Sequence, residues 1–185
     1  DAYCQRLKEE GRETWIREKT GLQLDPYFSA SKIRFLLDRH GLQERAERGE
    51  LCFGTIDSWL VWKMSNGKKH ITDVSNASRT MLMNLETLDY DEELLALWNI
   101  PRCLLPKIVD TSGMLAVCET VFASAIPITA VVGDQQAALF GQTCFDGGDV
   151  KNTYGTGCFL LMNTKDRIIR SKHGLVTCVG WRIQG

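Results

Sequence analysis

Two features of this 185-residue chain combine residue types and positions that could do chemistry: Asp134, and the turn Gly155-Thr156-Gly157. Asp134 follows the apolar, β-branched run Ile126 to Val132 and Gly133, and it opens a segment, Gln135 to Gln142, with helical character. The end of a buried strand and the start of a helix is where open α/β sheets put reactive groups. The helix dipole and unpaired backbone N–H groups favour negative charge there. Asp134 is therefore a candidate base, although an aspartate in this place also serves as an ordinary N-cap. In the turn, two glycines expose backbone N–H groups and Thr156 adds a hydroxyl, a nest suited to an anionic oxygen. The same Gly-X-Gly pattern closes plain hairpins. A base on one side and an anion cradle on the other is the division of labour that phosphoryl transfer needs.

The elements that must hold these groups follow from hydrophobic patterning. Ile126 to Val132 reads as a strand covered on both faces. The segment after it presents a small side, Ala137, Ala138 and Gly141, for close packing. Lys151 to Tyr154 and Cys158 to Asn163 read as two strands joined through the glycine turn. Upstream, residues 1–19 read as one or two helices loosened at Gly11 and stopped by Thr20-Gly21. In DPYFSASKIRFLLD, Pro26 forces Asp25 out of helix, Ser29 is the expected cap, and Ile33, Leu36 and Leu37 form the expected buried face. Tyr27 in this block reads as a hydrophobic staple with a wet hydroxyl. Leu51 to Phe53 reads as a short strand before a helix whose Trp59 and Trp62 face a core. Asp73, Ser75, Asn76, Ser78 and Arg79 form a polar cluster explained by turn hydrogen bonding. Asp89 with Glu92 resembles a capping box for the helix carrying Leu94, Leu95 and Leu97. Gly113 to Cys118 reads as part of a strand pair leading into the Ile126 strand, and Leu175 to Val179 as a further strand. Strands alternating with helices argue an α/β class.

Bulk properties narrow the function. With 22 basic and 23 acidic residues the net charge is −1, so no field draws in nucleic acid or an anionic membrane. No apolar run approaches the roughly twenty residues of a membrane span. Seven cysteines, scattered singly, favour reduced thiols in a cytoplasmic protein over disulfides or zinc. His40, His70 and His173 are too far apart in sequence to suggest a local metal site. Small-molecule chemistry fits this balance best. The chain starts at Asp1 with helical spacing already under way and shows no signal sequence, which reads as an internal piece of a longer protein.

GDQQAALFGQ (Gly133 to Gln142), KNTYGTGCFLLMNT (Lys151 to Thr164), DPYFSASK and ITDVSNASRTMLMNL together resemble the FGGY carbohydrate kinases of the actin-like ATPase superfamily, in particular their glycerol-phosphorylating branch. The resemblance implies a ribonuclease-H-like, actin-type fold, with residues 1–143 in a polyol-binding lobe and residues 144–185 beginning a nucleotide-binding lobe. It implies ATP-dependent phosphorylation of glycerol to sn-glycerol 3-phosphate in the cytoplasm, with Asp134 as base. Tyr27, Asp134, Gln135 and Phe159 would contact the polyol, and Gly155 and Thr156 the nucleotide phosphates. Mg2+ would arrive with ATP, without a protein ligand in this stretch, and the whole enzyme would be a homo-oligomer. A first phosphate hairpin and an Arg-Glu pair gripping the polyol would precede Asp1, so the stretch alone is expected to be inactive. Two departures stand out: Phe35 occupies a core-facing position where the family usually has Trp, and residues 119–125 lack the glycine and arginine of an allosteric sugar-bisphosphate loop. Rival readings are a xylulose, gluconate or ribulose kinase of the same fold, and a non-catalytic actin-like binder of ATP or polyol.

Overall fold

In the computed structural model, residues 2–183 are described. The chain opens with two short helices, α1 (Ala2–Glu9) and α2 (Glu13–Thr20), broken at Gly11 as the pattern predicts. Gly21 closes α2 in the left-handed conformation at φ 71°, its N–H bonding the Arg17 carbonyl. A side chain at Gly21 would also lie 2.3 Å from the Thr177 carbonyl oxygen, so this position needs glycine twice over. Helix α3 (Ser29–Arg39) follows, then α4 (Gln43–Glu47) and α5 (Ile56–Met64). The buried side of α3 is Ala30, Ile33, Arg34 and Leu37. Leu36 and Phe35, both expected inside, are exposed, because the helix is covered on one side only. Phe28 rather than Ser29 occupies the N-cap position, without a side-chain cap bond.

The main core joins α1, α2 and α3 to α7 (Glu92–Trp98) through Leu7, Ile16, Leu22, Leu24, Phe28, Ile33, Leu94 and Trp98. Helix α7 is capped by Asp91, whose side chain accepts from the Glu93 and Leu94 N–H groups. Asp89, the residue expected to cap, is instead in a two-residue strand. The expected strand at Leu51 to Phe53 does not form. Phe53 makes a single backbone bond to Leu104, and one bond without a ladder leaves the segment irregular. Trp59 on α5 is 57% exposed, contrary to its expected core role, while Val61 takes the buried position.

Among the described residues, four two-stranded ladders complete the framework. β1 (Ile71–Asp73) pairs in parallel with β4 (Lys107–Val109), and the crossover between them carries α6 (Val74–Ala77), β2 (Met83–Asn84), β3 (Asp89–Tyr90) and α7. β2 and β3 pair antiparallel. β5 (Ser112–Cys118) pairs antiparallel with β6 (Ile126–Ala130), and β7 (Val150–Tyr154) with β8 (Cys158–Met162). Helix α8 (Asp134–Gly141) lies between the last two ladders. β6 is not covered on both faces as expected: only Ile128 is half-buried, since β6 has β5 as its one strand partner among the described residues. Leu175 to Val179 forms no strand; its Thr177 N–H bonds the Gly21 carbonyl, and the nearest β contact is the bridge of Ser112 with Ile183.

Candidate active site

The site is assembled from the end of β6 outward. Gly133 is the N-cap of α8 in extended backbone, and Asp134 is the first helical residue, exposed to solvent. A Cβ at Gly133 would lie 2.5 Å from Gln136 Oε1, so a larger residue would require the Gln136 amide to shift. The Gln135 N–H donates to Asp134 Oδ1 at 2.8 Å, and the Gln135 side-chain amide reaches Oδ2 at 3.4 Å. A carboxylate in this setting retains lone pairs open to solvent and can accept a proton from a hydroxyl brought beside it.

The polar cluster Asp73, Ser75, Asn76, Ser78 and Arg79, read from sequence as turn chemistry, does more than close a turn. Asp73 is fully buried and caps α6. Its Oδ1 accepts from Ser75 Oγ (2.9 Å), Asn76 N (2.9 Å) and Asn76 Nδ2 (2.8 Å), and its Oδ2 from Ser75 N (3.1 Å) and Thr111 Oγ1 (2.7 Å). With its proton turned to Asp73, the Ser75 hydroxyl oxygen is left as an acceptor, and it takes the Gly133 N–H at 2.8 Å. The start of α8 is thereby anchored to β1. At its other end the same segment reaches α3, where the Ala30 N–H bonds the Thr80 carbonyl.

That connection relates Tyr27 to Asp134. Tyr27 is 64% exposed just ahead of α3, its ring edge-on to Phe28 at 5.4 Å, with the Lys32 and Arg79 cations about the ring at 5.9 and 6.0 Å. Asp25 Oδ1 holds the Tyr27 N–H at 2.8 Å. The hydroxyl is wet, as the sequence predicts. Tyr27 and Asp134 make no direct bond; the Asp73 segment supports both.

On the far side of α8 the β7–β8 hairpin forms in the predicted place. Gly155 N–H bonds the Gly157 carbonyl at 3.0 Å, so one N–H of the expected nest is used within the turn, while Thr156 is exposed. The register pairs Thr153 with Phe159 and Lys151 with Leu161, which puts all four on one face of the ladder. Phe159 lies against Gly157, where an added Cβ would meet its ring at 2.9 Å. From this face Lys151, only 1% exposed, donates to Gln135 Oε1 and to Thr153 Oγ1. Sequence reading gave Lys151 no role; the available signal was a lysine whose alternation on β7 turns it inward. The predicted residues thus fall into two groups: Asp134 and Gln135 touch each other and join the hairpin through Lys151, whereas Tyr27 stands apart in the turn before α3.

The family model for the N-terminal domain of the FGGY carbohydrate kinases matches residues 1–141. The chain belongs to the FGGY family. Among FGGY relatives, a glycerol kinase of Stenotrophomonas maltophilia is 57% identical over 98% of this chain, and one of Bacillus licheniformis is 56% identical over 98%. The chain spans 37% of the length of each. The crystal structure of Plasmodium falciparum glycerol kinase with ADP superposes with a TM-score of 0.89 at 36% identity, covering 97% of this chain and 37% of that one. Xylulose kinase from Lactobacillus acidophilus shares the fold at a TM-score of 0.73 and 23% identity over 86% of this chain and 33% of that one. The FGGY chain described here therefore has part of the actin-like ATPase fold. None of its described helices is long and apolar enough to cross a membrane, and no cluster of three His, Cys, Asp or Glu residues suited to a metal occurs among the described residues.

Proposed function

We propose that this chain is the part of an ATP-dependent glycerol kinase that supplies the catalytic base and one wall of the polyol site. The observation that carries the reading is the likeness to glycerol kinases: 57% identity to one along 98% of the chain, and 36% to a glycerol kinase structure against 23% to a xylulose kinase structure. In this reading Asp134 accepts the proton of a primary hydroxyl as its oxygen attacks the γ-phosphorus of ATP, giving sn-glycerol 3-phosphate and ADP. Gln135 and Tyr27 hydrogen-bond the polyol, and Phe159 packs on its carbons. Gly155 and Thr156 meet the nucleotide phosphates, whose Mg2+ comes with ATP and offsets their charge. The lobe boundary falls between residues 143 and 144. Thr143, in the left-handed conformation at φ 56°, and the end of the family match at residue 141 support it.

The test uses a full-length polypeptide carrying this chain, assayed for ADP release with glycerol, xylulose and gluconate. Turnover with glycerol is expected to exceed that with either sugar substrate. Asp134→Asn should lower kcat at least about 10²-fold with little change in glycerol binding, the pattern of a group needed mainly in the transition state. Near-normal kcat in that variant would remove Asp134 from the mechanism.

A further inference from the structure

The site leaves one buried cation without a task. Lysine is almost never fully buried unless partnered, yet Lys151 is 1% exposed and its direct partners, the Gln135 amide oxygen and the Thr153 hydroxyl, are neutral. Burial pushes its pKa down, and the titratable groups facing it, Asp134 on α8 and the Cys144 thiol beyond that helix, act in the opposite direction. An apolar side chain of similar length would fill this place beneath α8 without the cost of desolvating an ammonium. Packing alone therefore does not account for a lysine.

Hydrogen-bond polarity does. A lysine ammonium only donates, whereas a glutamine amide has one accepting and one donating end. With Lys151 bonded to Oε1, the donating Nε2 end is the one turned to Asp134 Oδ2. We propose that Lys151 is a positioning residue that locks the Gln135 amide so that its NH2 group faces the polyol and the base. The proposal rests on the glycerol kinase reading above. A substrate hydroxyl set between Gln135 and Asp134 then has its oxygen held by the Gln135 NH2 and its hydrogen aimed at the carboxylate. That is the orientation proton removal requires. Were the amide reversed, its oxygen would compete with Asp134 for the same hydrogen.

The experiment measures kcat and both KM values in a full-length polypeptide carrying this chain, for Lys151→Met, Lys151→Arg, Gln135→Leu and the double variant Lys151→Met/Gln135→Leu, each with its melting temperature. Lys151→Met should raise KM for glycerol about three- to tenfold, the size of one lost oriented hydrogen bond, and leave KM for ATP within about twofold. Lys151→Arg, which keeps a donor-only cation, should restore most of the glycerol affinity. Because Lys151 acts through Gln135, the double variant should be no worse for glycerol than Gln135→Leu alone. Independent, multiplying effects, or an unshifted glycerol KM in Lys151→Met, overturn the proposal. If Lys151→Met does not fold, Lys151→Gln, which keeps a neutral donor, replaces it: glycerol KM within about threefold of the unmodified protein supports the amide lock, and a larger rise overturns it. Lack of glycerol-dependent turnover in the unmodified protein would instead overturn the kinase reading itself.

Discussion

Replacing Asp73 by asparagine tests whether one buried carboxylate organises the middle of the chain. The amide has the same shape, but one of its two ends donates. Turned with nitrogen in place of Oδ1, it loses three acceptor contacts, from Ser75 Oγ, Asn76 N and Asn76 Nδ2. Turned the other way, it loses two, from Ser75 N and Thr111 Oγ1. The second arrangement is the cheaper, and Thr111 can reverse its hydroxyl to accept from the new NH2. The Ser75 N–H cannot reverse. Hydrogen bonds to a charged group contribute roughly 1.5–3 kcal/mol each, so two bonds lost with one partly recovered should cost about 2–4 kcal/mol. In urea denaturation followed by tryptophan fluorescence, with a slope of about 1–3 kcal/mol/M, the midpoint should fall by roughly 0.7–4 M. Thr111→Val should cost less, and its effect should not add fully to that of Asp73→Asn, because the two share a bond. A loss under about 0.5 kcal/mol, the level of an ordinary surface substitution, would refute the reasoning.

Tyr27→Phe should raise KM for glycerol by the loss of one hydrogen bond, roughly 0.5–1.5 kcal/mol, and leave ATP affinity unchanged, whereas Thr156→Val should do the reverse. If both weakened only glycerol binding, the turn would not be the nucleotide side. Gly21→Ala adds a Cβ 2.3 Å from the Thr177 oxygen at a backbone φ of 71°, and strain plus the clash should cost at least about 1–3 kcal/mol in the same denaturation assay. Burial opposes ionisation of Asp91, but hydrogen bonds from Lys19, Asn84 and the Leu94 N–H outweigh it and hold the carboxyl below its usual range. A depressed carboxyl contributes stability that is complete above its unfolded value, about 3.9, and is lost as pH falls through the folded value. Asp91→Asn keeps the helix cap, so it should flatten the loss of stability on acidification below about pH 4 while leaving α7 formed, as circular dichroism would show.

Local chemistry made much of this molecule legible. The break at Gly11, the stop at Gly21, the hairpin around Gly155 and the strand-to-helix passage at Asp134 are each signalled by neighbouring residues. Elements that depend on distant partners were not. Cys52 and Val176 lie in apolar segments like those of real strands, and only the absence of a ladder beside them keeps them irregular. The faces of α3 and α5 were misjudged for the same reason, since Phe35 and Trp59 have helical spacing but stay exposed, each with a cation of its own helix, Arg39 or Lys63, over its ring. In the site, the position of Asp134 was readable because it starts a helix, whereas Gln135 was singled out only by the family resemblance. Asp73 was visible only as a turn former, and its link to Gly133 runs through Ser75, which bonds Gly133 across 58 positions. The inward lysine of β7 was hidden by the single-residue phase of a short strand.

The tail that follows β8 gives the chain an order of assembly. Arg17 holds the Ser171 carbonyl, Gln23 the Gly174 carbonyl and Arg170 the Glu18 carbonyl at 2.7 Å, contacts separated by more than 150 residues. Loop closure over such a span is entropically costly before any contact forms, whereas helices α1 to α3 and the β7–β8 hairpin close locally within microseconds. This segment should therefore dock after them, onto a surface that α2 and Gly21 have already shaped. Its docking sets Thr177 against Gly21 and Ile183 beside Ser112, so this later step also fastens the ladder that leads to Asp134. On a ribosome, Asp134 would be in place in sequence well before the strap that steadies its strand has been synthesised.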